Sequence, residues 1–239
     1  MIKRVFKENG IDITDYQEQQ LQRYYDILSE WNKKINLTAI TEYKDVVVKH
    51  FLDSALILKS DLFVGQRLSD AGNSSVLDLG TGAGFPGIVL AVLYPGYHYT
   101  LVDSLNKRIE FLHIIKEELG LDQIRLYHGR AEDFGRDPEF RNQFDFVVSR
   151  AVAELPVLLE YCVPFVKPEG FFISYKGKKC EDEIKLSQRA LQELNVFIER
   201  KEQYILSGEA RYLLFLKNLS ETNQKYPRKA GKIKKNPLY

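Results

Sequence analysis

The chain is poor in cysteine: Cys162 and Cys180 are the only two in 239 residues. That is too few for a disulfide framework and fits a reducing compartment, so a cytoplasmic protein is expected. No apolar run approaches the ~20 residues that cross a bilayer, so neither a spanning helix nor a membrane partner is expected. Met1 to Glu8 lack the apolar core and small-residue cleavage site of a secretory signal. No histidine or cysteine cluster has metal-ligand spacing, and no metal is expected. Internal repeats are absent, and so is low complexity outside the C-terminal stretch. What remains is a 44% apolar chain, long enough for one sizeable domain and a smaller attachment.

Charge is short of one sign in one place. Lys225, Arg228, Lys229, Lys232, Lys234 and Lys235 are met by no acid between residues 225 and 239, which leaves 28 basic against 33 acidic residues elsewhere. A cationic tail on a mildly acidic body points to a polyanion partner. The alternatives are a solvated tail without a partner, or a latch docked through Tyr226, Pro227, Pro237, Leu238 and Tyr239.

The stretch from Ser75 to Gly87 organises the rest. Val76 to Leu79 reads as a buried parallel strand. Gly80, Gly82 and Gly84 follow, and an apolar helical pattern begins at Pro86, a residue tolerated in a first turn. Such glycines permit positive φ and close approach of a ligand to the backbone. The loop lacks the Lys-Ser/Thr pair of a phosphate-binding loop. Asp78, just before it, suits a cation better than the pyrophosphate of a dinucleotide. S-adenosylmethionine carries a sulfonium and an ammonium and no phosphate, so it fits this pattern. Asp103, about 20 residues on at the end of a second strand from His98, stands where a ribose diol is held. The alternative is that it caps a helical segment from Ser104 onward, since Asp is a favoured cap.

Before this core, Thr14 and Gln17 form a capping box. Leu21, Tyr25, Leu28, Trp31 and Ile35 then predict an amphipathic helix over 15–35. A second helix is expected from about Thr41 to Lys59, with His50, Asp53 and Ser54 on one face. Those three either join the helical part to the main domain or serve a substrate; residues one turn apart do not suit a hydrolase triad. After Asp103 the chain alternates: helix 105–119, strand 123–128, strand 144–149, helix 155–166, a turn at 167–170, strand 171–175 and helix 180–194. Residues 197–206 and 212–217 close it as an antiparallel pair. This is the pattern of an open, mostly parallel sheet of seven strands, which binds ligands at the carboxyl ends of its strands.

The chemistry follows partly by elimination. The Asn/Asp-Pro-Pro-Tyr motif of exocyclic-amine methylases is missing, and neither cysteine has the Pro-Cys setting of a covalent pyrimidine methylase. An acceptor with a lone pair and no hydrogen would suit, and guanine N7 is one: in-line attack then needs alignment more than a base.

Asn36 to Thr38, His50 with Asp53 and Ser54, Asp78 to Gly87, Val102 to Ser104, Lys107-Arg108, Gly129 to Glu132, Ser149 to Ala153 and Tyr226 to Gly231 together resemble the RsmG (GidB) family over essentially the whole chain. The resemblance implies a Rossmann-like class I methyltransferase with an N-terminal helical extension. It also implies transfer from S-adenosylmethionine to guanine N7 in 16S ribosomal RNA, in the 530 loop. By position it assigns Gly80, Gly82, Phe85, Asp103, Ser104, Ala131, Glu132 and Arg150 to the cofactor. Arg130, Lys176, Arg228, Lys229 and Lys232 are assigned to RNA. No residue is cast as a catalytic acid or base; Arg150, Arg130 and Lys176 are positioning candidates. The expected division is a helical part over 1–60, a methyltransferase domain over 61–220 and a basic tail over 221–239. The expected partner is 16S ribosomal RNA or the small subunit, met by a monomer. A methyltransferase of a ribosomal protein or other substrate, and an RNA-binding assembly factor that senses the cofactor, stand as alternatives.

Overall fold

The computed structural model describes residues 1–64, 74–229 and 231–239. Residues 65–73, and Ala230 of the tail motif, therefore lie outside the described residues. Among the described residues, seven strands form one sheet in the order β3-β2-β1-β4-β5-β7-β6. They are β1 Ser75–Leu79, β2 His98–Asp103, β3 Ile124–His128, β4 Phe144–Arg150, β5 Val166–Lys176, β6 Val196–Leu206 and β7 Glu209–Asn218. The expected Rossmann-like architecture is observed, with a parallel body closed by an antiparallel pair.

The described chain separates into two compact units. One comprises Met1–Ser74 with Thr81–His128, the other Ser75–Gly80 with Gly129–Tyr239.

In the first unit, helices α1 Ile2–Glu8 and α2 Asp15–Ile35 open the chain. The capping box is present as expected: Gln17 N–H donates to Thr14 Oγ1, and Thr14 N–H to the Gln17 side chain. The buried face of α2 differs from the expected one. It runs through Leu21, Tyr24, Ile27 and Leu28, while Tyr25, Trp31 and Ile35 are half-buried. A turn of 3.6 residues carries the core from 21 to 24 and on to 28, so Tyr24 displaces Tyr25.

The expected helix over 41–59 is helical from Tyr43 to Lys59 but changes winding. It comprises α3 Tyr43–Val46, a π-helical turn Val47–Leu52, α4 Asp53–Ala55 and a tight 3-10 turn Leu56–Lys59. The wide turn removes the simple i, i+3, i+4 alignment of His50, Asp53 and Ser54; Ser54 is buried and the other two are half-buried. Strands β2 and β3 pair in parallel, Asp103 opposite His128. Helices α5 Gly87–Leu93 and α6 Asn106–Leu119 belong to the same unit. Pro86 stands at the N-cap of α5, after a cis Phe85–Pro86 bond, rather than inside the first turn.

In the second unit β1 pairs β4, β4 pairs β5, and β5 pairs β7. Lys167 to Gly170 bulge out of β5: Phe144 pairs Val166, whereas Phe146 pairs Phe171. Glu169 turns this bulge at φ 67°. Short helix α7 is Ala131–Phe134, and α8 Leu155–Cys162 is followed by a 3-10 turn. The helix expected over 180–194 divides into α9 Cys180–Leu186 and α10 Gln188–Glu193. At the break, Ser187 Oγ donates to the Glu183 carbonyl, a local bond that competes with helix continuation.

Candidate functional site

In the first unit, the glycine-rich loop is held at both ends. Thr81 N–H donates to the Val102 carbonyl (3.1 Å), and Gly82 N–H to Asp103 Oδ2 (2.9 Å). Asp103 is only 2% exposed. Its Oδ1 accepts from Leu105 N–H at 2.9 Å, and Arg108 Nη1 lies 3.1 Å from Oδ2. One carboxylate therefore ties the loop to the start of α6. It contacts the helix through Leu105, so the capping alternative describes part of what Asp103 does.

The far end of the loop rests on the helical segments. Tyr24 hydroxyl donates to the Ala83 carbonyl. Gly84, at φ 99°, has no room for a side chain: a Cβ would lie 2.7 Å from Tyr24 Oη and 2.5 Å from Ile88 Cγ1. The Phe85 ring is buried between His50 (centroids 4.5 Å apart, planes 16°) and Tyr24 (5.4 Å). Ser104 is exposed, and its carbonyl accepts from His128 Nε2 at 3.2 Å. Tyr24 is the contributor that the sequence reading passed over. Its signal was the 21, 24, 28 spacing.

In the second unit, Gly80 ends β1 at φ 74°, and a Cβ there would fall 2.6 Å from Val152 Cγ2. Arg150 is the last residue of β4 and is half-buried. Ala151 follows with φ 59°. Ala131 and Glu132 open α7, with Glu132 buried and Arg130 exposed at its N-cap. Tyr161 on α8 is pushed up to about 12, first by burial and then by the neighbouring Glu132 carboxylate, which bonds its hydroxyl. The phenol thus stays protonated and can hold Glu132 in place.

Lys176, a candidate for RNA contact and for positioning, has its ammonium inside the unit. It is buried, and its Nζ donates to Glu183 Oε2 (2.6 Å) and the Ala153 carbonyl (3.0 Å). The same Glu183 oxygen accepts from Leu155 N–H at 2.8 Å. A cation committed in this way shapes the loop leaving β4 and is not presented to a phosphate. Both cysteines are buried and raised, Cys162 strongly and Cys180 to about 11, in each case mainly by burial. Neutral thiols at physiological pH are poor nucleophiles.

The tail is docked on its own unit and does not trail. Arg228 meets the fully buried Glu160 of α8 through its backbone N–H and Nε at 2.8 Å and its Nη2 at 2.6 Å. Arg141 donates to the Thr222 and Tyr226 carbonyls, and Arg136 to that of Pro227. Tyr226, Ile233 and Leu238 are buried, the second in a short helix α11 Lys232–Lys235. Arg228, a candidate for RNA contact, is thus engaged with Glu160 and helps hold the tail on its unit. Lys229, Lys232, Lys234 and Lys235 remain exposed and make no ion pair among the described residues.

Residues 17–225 match the GidB family, described as rRNA small subunit methyltransferase G. The Ribosomal RNA small subunit methyltransferase G of Alkaliphilus metalliredigens (strain QYMF) is 48% identical over 240 residues, spanning 100% of this chain and 98% of that protein. Its namesake from Thermoanaerobacter sp. (strain X514) is 46% identical over 234 residues, spanning 97% and 95%. Among solved structures, M. jannaschii TYW2 in complex with AdoMet superposes with a TM-score of 0.50 at 17% identity, covering 61% of this chain and 68% of that one. The [4+2]-cyclase SpnF gives 0.53 at 13% identity, covering 67% and 79%. These two share the fold; a cyclase among them illustrates that fold alone does not name a reaction.

Proposed function

Since the chain belongs to the rRNA small subunit methyltransferase G family, we propose that it methylates N7 of a guanine in 16S ribosomal RNA with S-adenosylmethionine as donor. The observation that carries this reading is a family match that runs through the glycine-rich loop, both strand-end acids and the loop leaving β4. The residues present fit the cofactor. Gly82, at φ 62°, has no atom within 4 Å of where a Cβ would stand, which leaves open space against the loop backbone. Asp103 and Glu132 are buried carboxylates, apt acceptors for hydroxyl and amino groups. Gly80, Gly82, Phe85, Asp103, Ser104, Ala131, Glu132 and Arg150 are the proposed holders.

When bound, S-adenosylmethionine supplies a methyl group on a sulfonium, an electrophile that needs no metal or covalent relay. The acceptor N7 brings its own lone pair, so the protein has no proton to remove. Its task is orientation and exclusion of water, worth several powers of ten in rate when alignment is good. Arg150 and Arg130 offer planar guanidinium forks for phosphate or base edges. A bond from either to N7 itself would block the attacking lone pair, so they serve neighbouring atoms. Lys176 acts one step removed, holding the loop that follows Arg150. Exposed Lys229 and Lys232 suit phosphates. The chain acts as a cytoplasmic monomer on this reading, with the 530-loop guanine of the small subunit as its target.

Mass mapping of 7-methylguanine after incubation with the cofactor, on bare 16S RNA and on assembled small subunits, tests it. One modified guanine is expected in at least one of the two. Cofactor binding without methyl transfer to either would overturn the assignment and favour an assembly factor.

A further inference from the structure

Three stretches far apart in sequence meet inside the first unit: Asn36 to Thr38, the π-helical turn carrying His50, and the Phe85 end of the glycine-rich loop. His50 lies flat on the Phe85 ring, centroids 4.5 Å apart and planes 16° from parallel. Its Nε2 is 2.8 Å from Thr38 Oγ1. Thr38 is itself fixed: its hydroxyl accepts from Ile40 N–H at 3.0 Å, its N–H donates to Asn32 Oδ1 at 2.8 Å, and its carbonyl accepts from Asn32 Nδ2 at 2.9 Å. The imidazole is therefore held on an edge by a rigid hydroxyl and presses a face on Phe85.

Phe85 is the next link. It also packs beside Tyr24 and Phe51, at 5.4 and 6.0 Å between centroids, and its N–H donates to the Thr81 carbonyl at 3.0 Å. Displacing the ring would drag the backbone from Thr81 to Phe85, the part of the loop whose Gly82 N–H is set by Asp103. The winding of the helix supports a purpose. Asp53 N–H reaches back five residues to the Val48 carbonyl, a π-type bond. Single π turns inside helices cost stability and recur at functional sites.

We propose that His50 is a positioning residue for methyl transfer, acting through Phe85 on the glycine-rich loop. The inference rests on the cofactor reading of that loop. The contact that matters is the ring stack; the Thr38 bond orients the ring. Aromatic pairing of this geometry corresponds to a few-fold to about 10-fold in an equilibrium constant.

Calorimetric titration of the full chain with S-adenosylmethionine, well below each variant's melting temperature, tests the proposal. His50→Ala is expected to bind about 3- to 10-fold more weakly, and His50→Phe, which keeps a flat ring, within about two-fold of the starting protein. In turnover, the loss should fall on the KM for the cofactor and leave the KM for RNA unchanged. If His50→Ala does not fold, His50→Leu decides, since it keeps apolar bulk against Phe85 but no flat ring: weaker cofactor binding by a folded protein supports the proposal and unchanged binding overturns it. Equal affinity of His50→Ala and the unsubstituted chain, or a loss in His50→Phe as large as in His50→Ala, also overturns it. An unsubstituted chain that binds no cofactor would sink the functional reading instead.

Discussion

Asp103 and Glu160 are both buried carboxylates that face an arginine, yet one is open to exchange and the other is closed. Arg108 approaches Asp103 at 3.1 and 3.4 Å through one nitrogen, and its side chain is 35% exposed. Arg228 grips Glu160 with backbone and guanidinium bonds of 2.6–3.0 Å, and its side chain is 18% exposed. Water can replace Arg108, so the cost of lending Asp103 to a ligand is modest. Nothing comparable can replace Arg228, because a carboxylate stripped of its partner inside the protein is not resolvated. On the proposed cofactor reading, the exposure of its cation separates a buried acid that can be lent to a ligand from one that is spent on architecture.

The largest effect is expected from breaking the closed pair. Arg228→Ala should cost about 3–5 kcal/mol of stability, the usual consequence of leaving a buried charge uncompensated. Urea unfolding measures it; a change below ~1 kcal/mol would mean that the tail is undocked in solution, since exposed pairs contribute no more than that. Asp103→Asn probes the open acid. It should weaken S-adenosylmethionine binding about 10- to 150-fold, the value of a charge-assisted bond, and calorimetry reads this directly. Normal affinity with early melting would reduce Asp103 to a tie between Gly82 and Leu105.

Arg108→Ala sharpens the contrast. Asp103 keeps its two backbone donors, so the loss should be about 1 kcal/mol or less, as for other part-exposed pairs. A loss equal to that of Arg228→Ala would erase the distinction. The smallest effect on stability belongs to the exposed tail lysines. Replacing Lys229 and Lys232 with Ala should leave the melting temperature unchanged. It should flatten the salt dependence of RNA binding by a slope of roughly 0.7 per lost contact on single strands. An unchanged slope over a salt series would remove both from the RNA interface.

Much of the fold was legible because its signals are local. Apolar runs such as Val76 to Leu79, the Thr14–Gln17 box and the glycines after β1 each depend on nearby residues. The seven strands were expected where they occur, give or take the Lys167–Gly170 bulge. The winding of 43–59 was not legible, since a π turn depends on what His50 and its neighbours pack against rather than on helix period. Tyr24 was missed beside Tyr25 because adjacent aromatics give nearly the same amphipathic pattern, and only packing distinguishes them. The candidate site was legible as a set of positions but not as a set of roles. Lys176 and Arg228 are cations of the kind that bind phosphate, and the acids that occupy them, half-buried Glu183 and fully buried Glu160, are 7 and 68 residues away.

By itself, then, the amino-acid order determined the alternation of strands and helices, the glycine-rich loop and its acids, the family and the reaction class. The strands, helices and loop rest on backbone geometry, period and short-range chemistry, which act within a few residues; the family and the reaction class rest on resemblance to known relatives. The tertiary structure alone decided which cations are spent inside the protein, that the tail is latched, and that His50 rests on Phe85. Those outcomes turn on desolvation and contact between distant residues, and charge or ring type in a sequence does not reveal what will stand opposite.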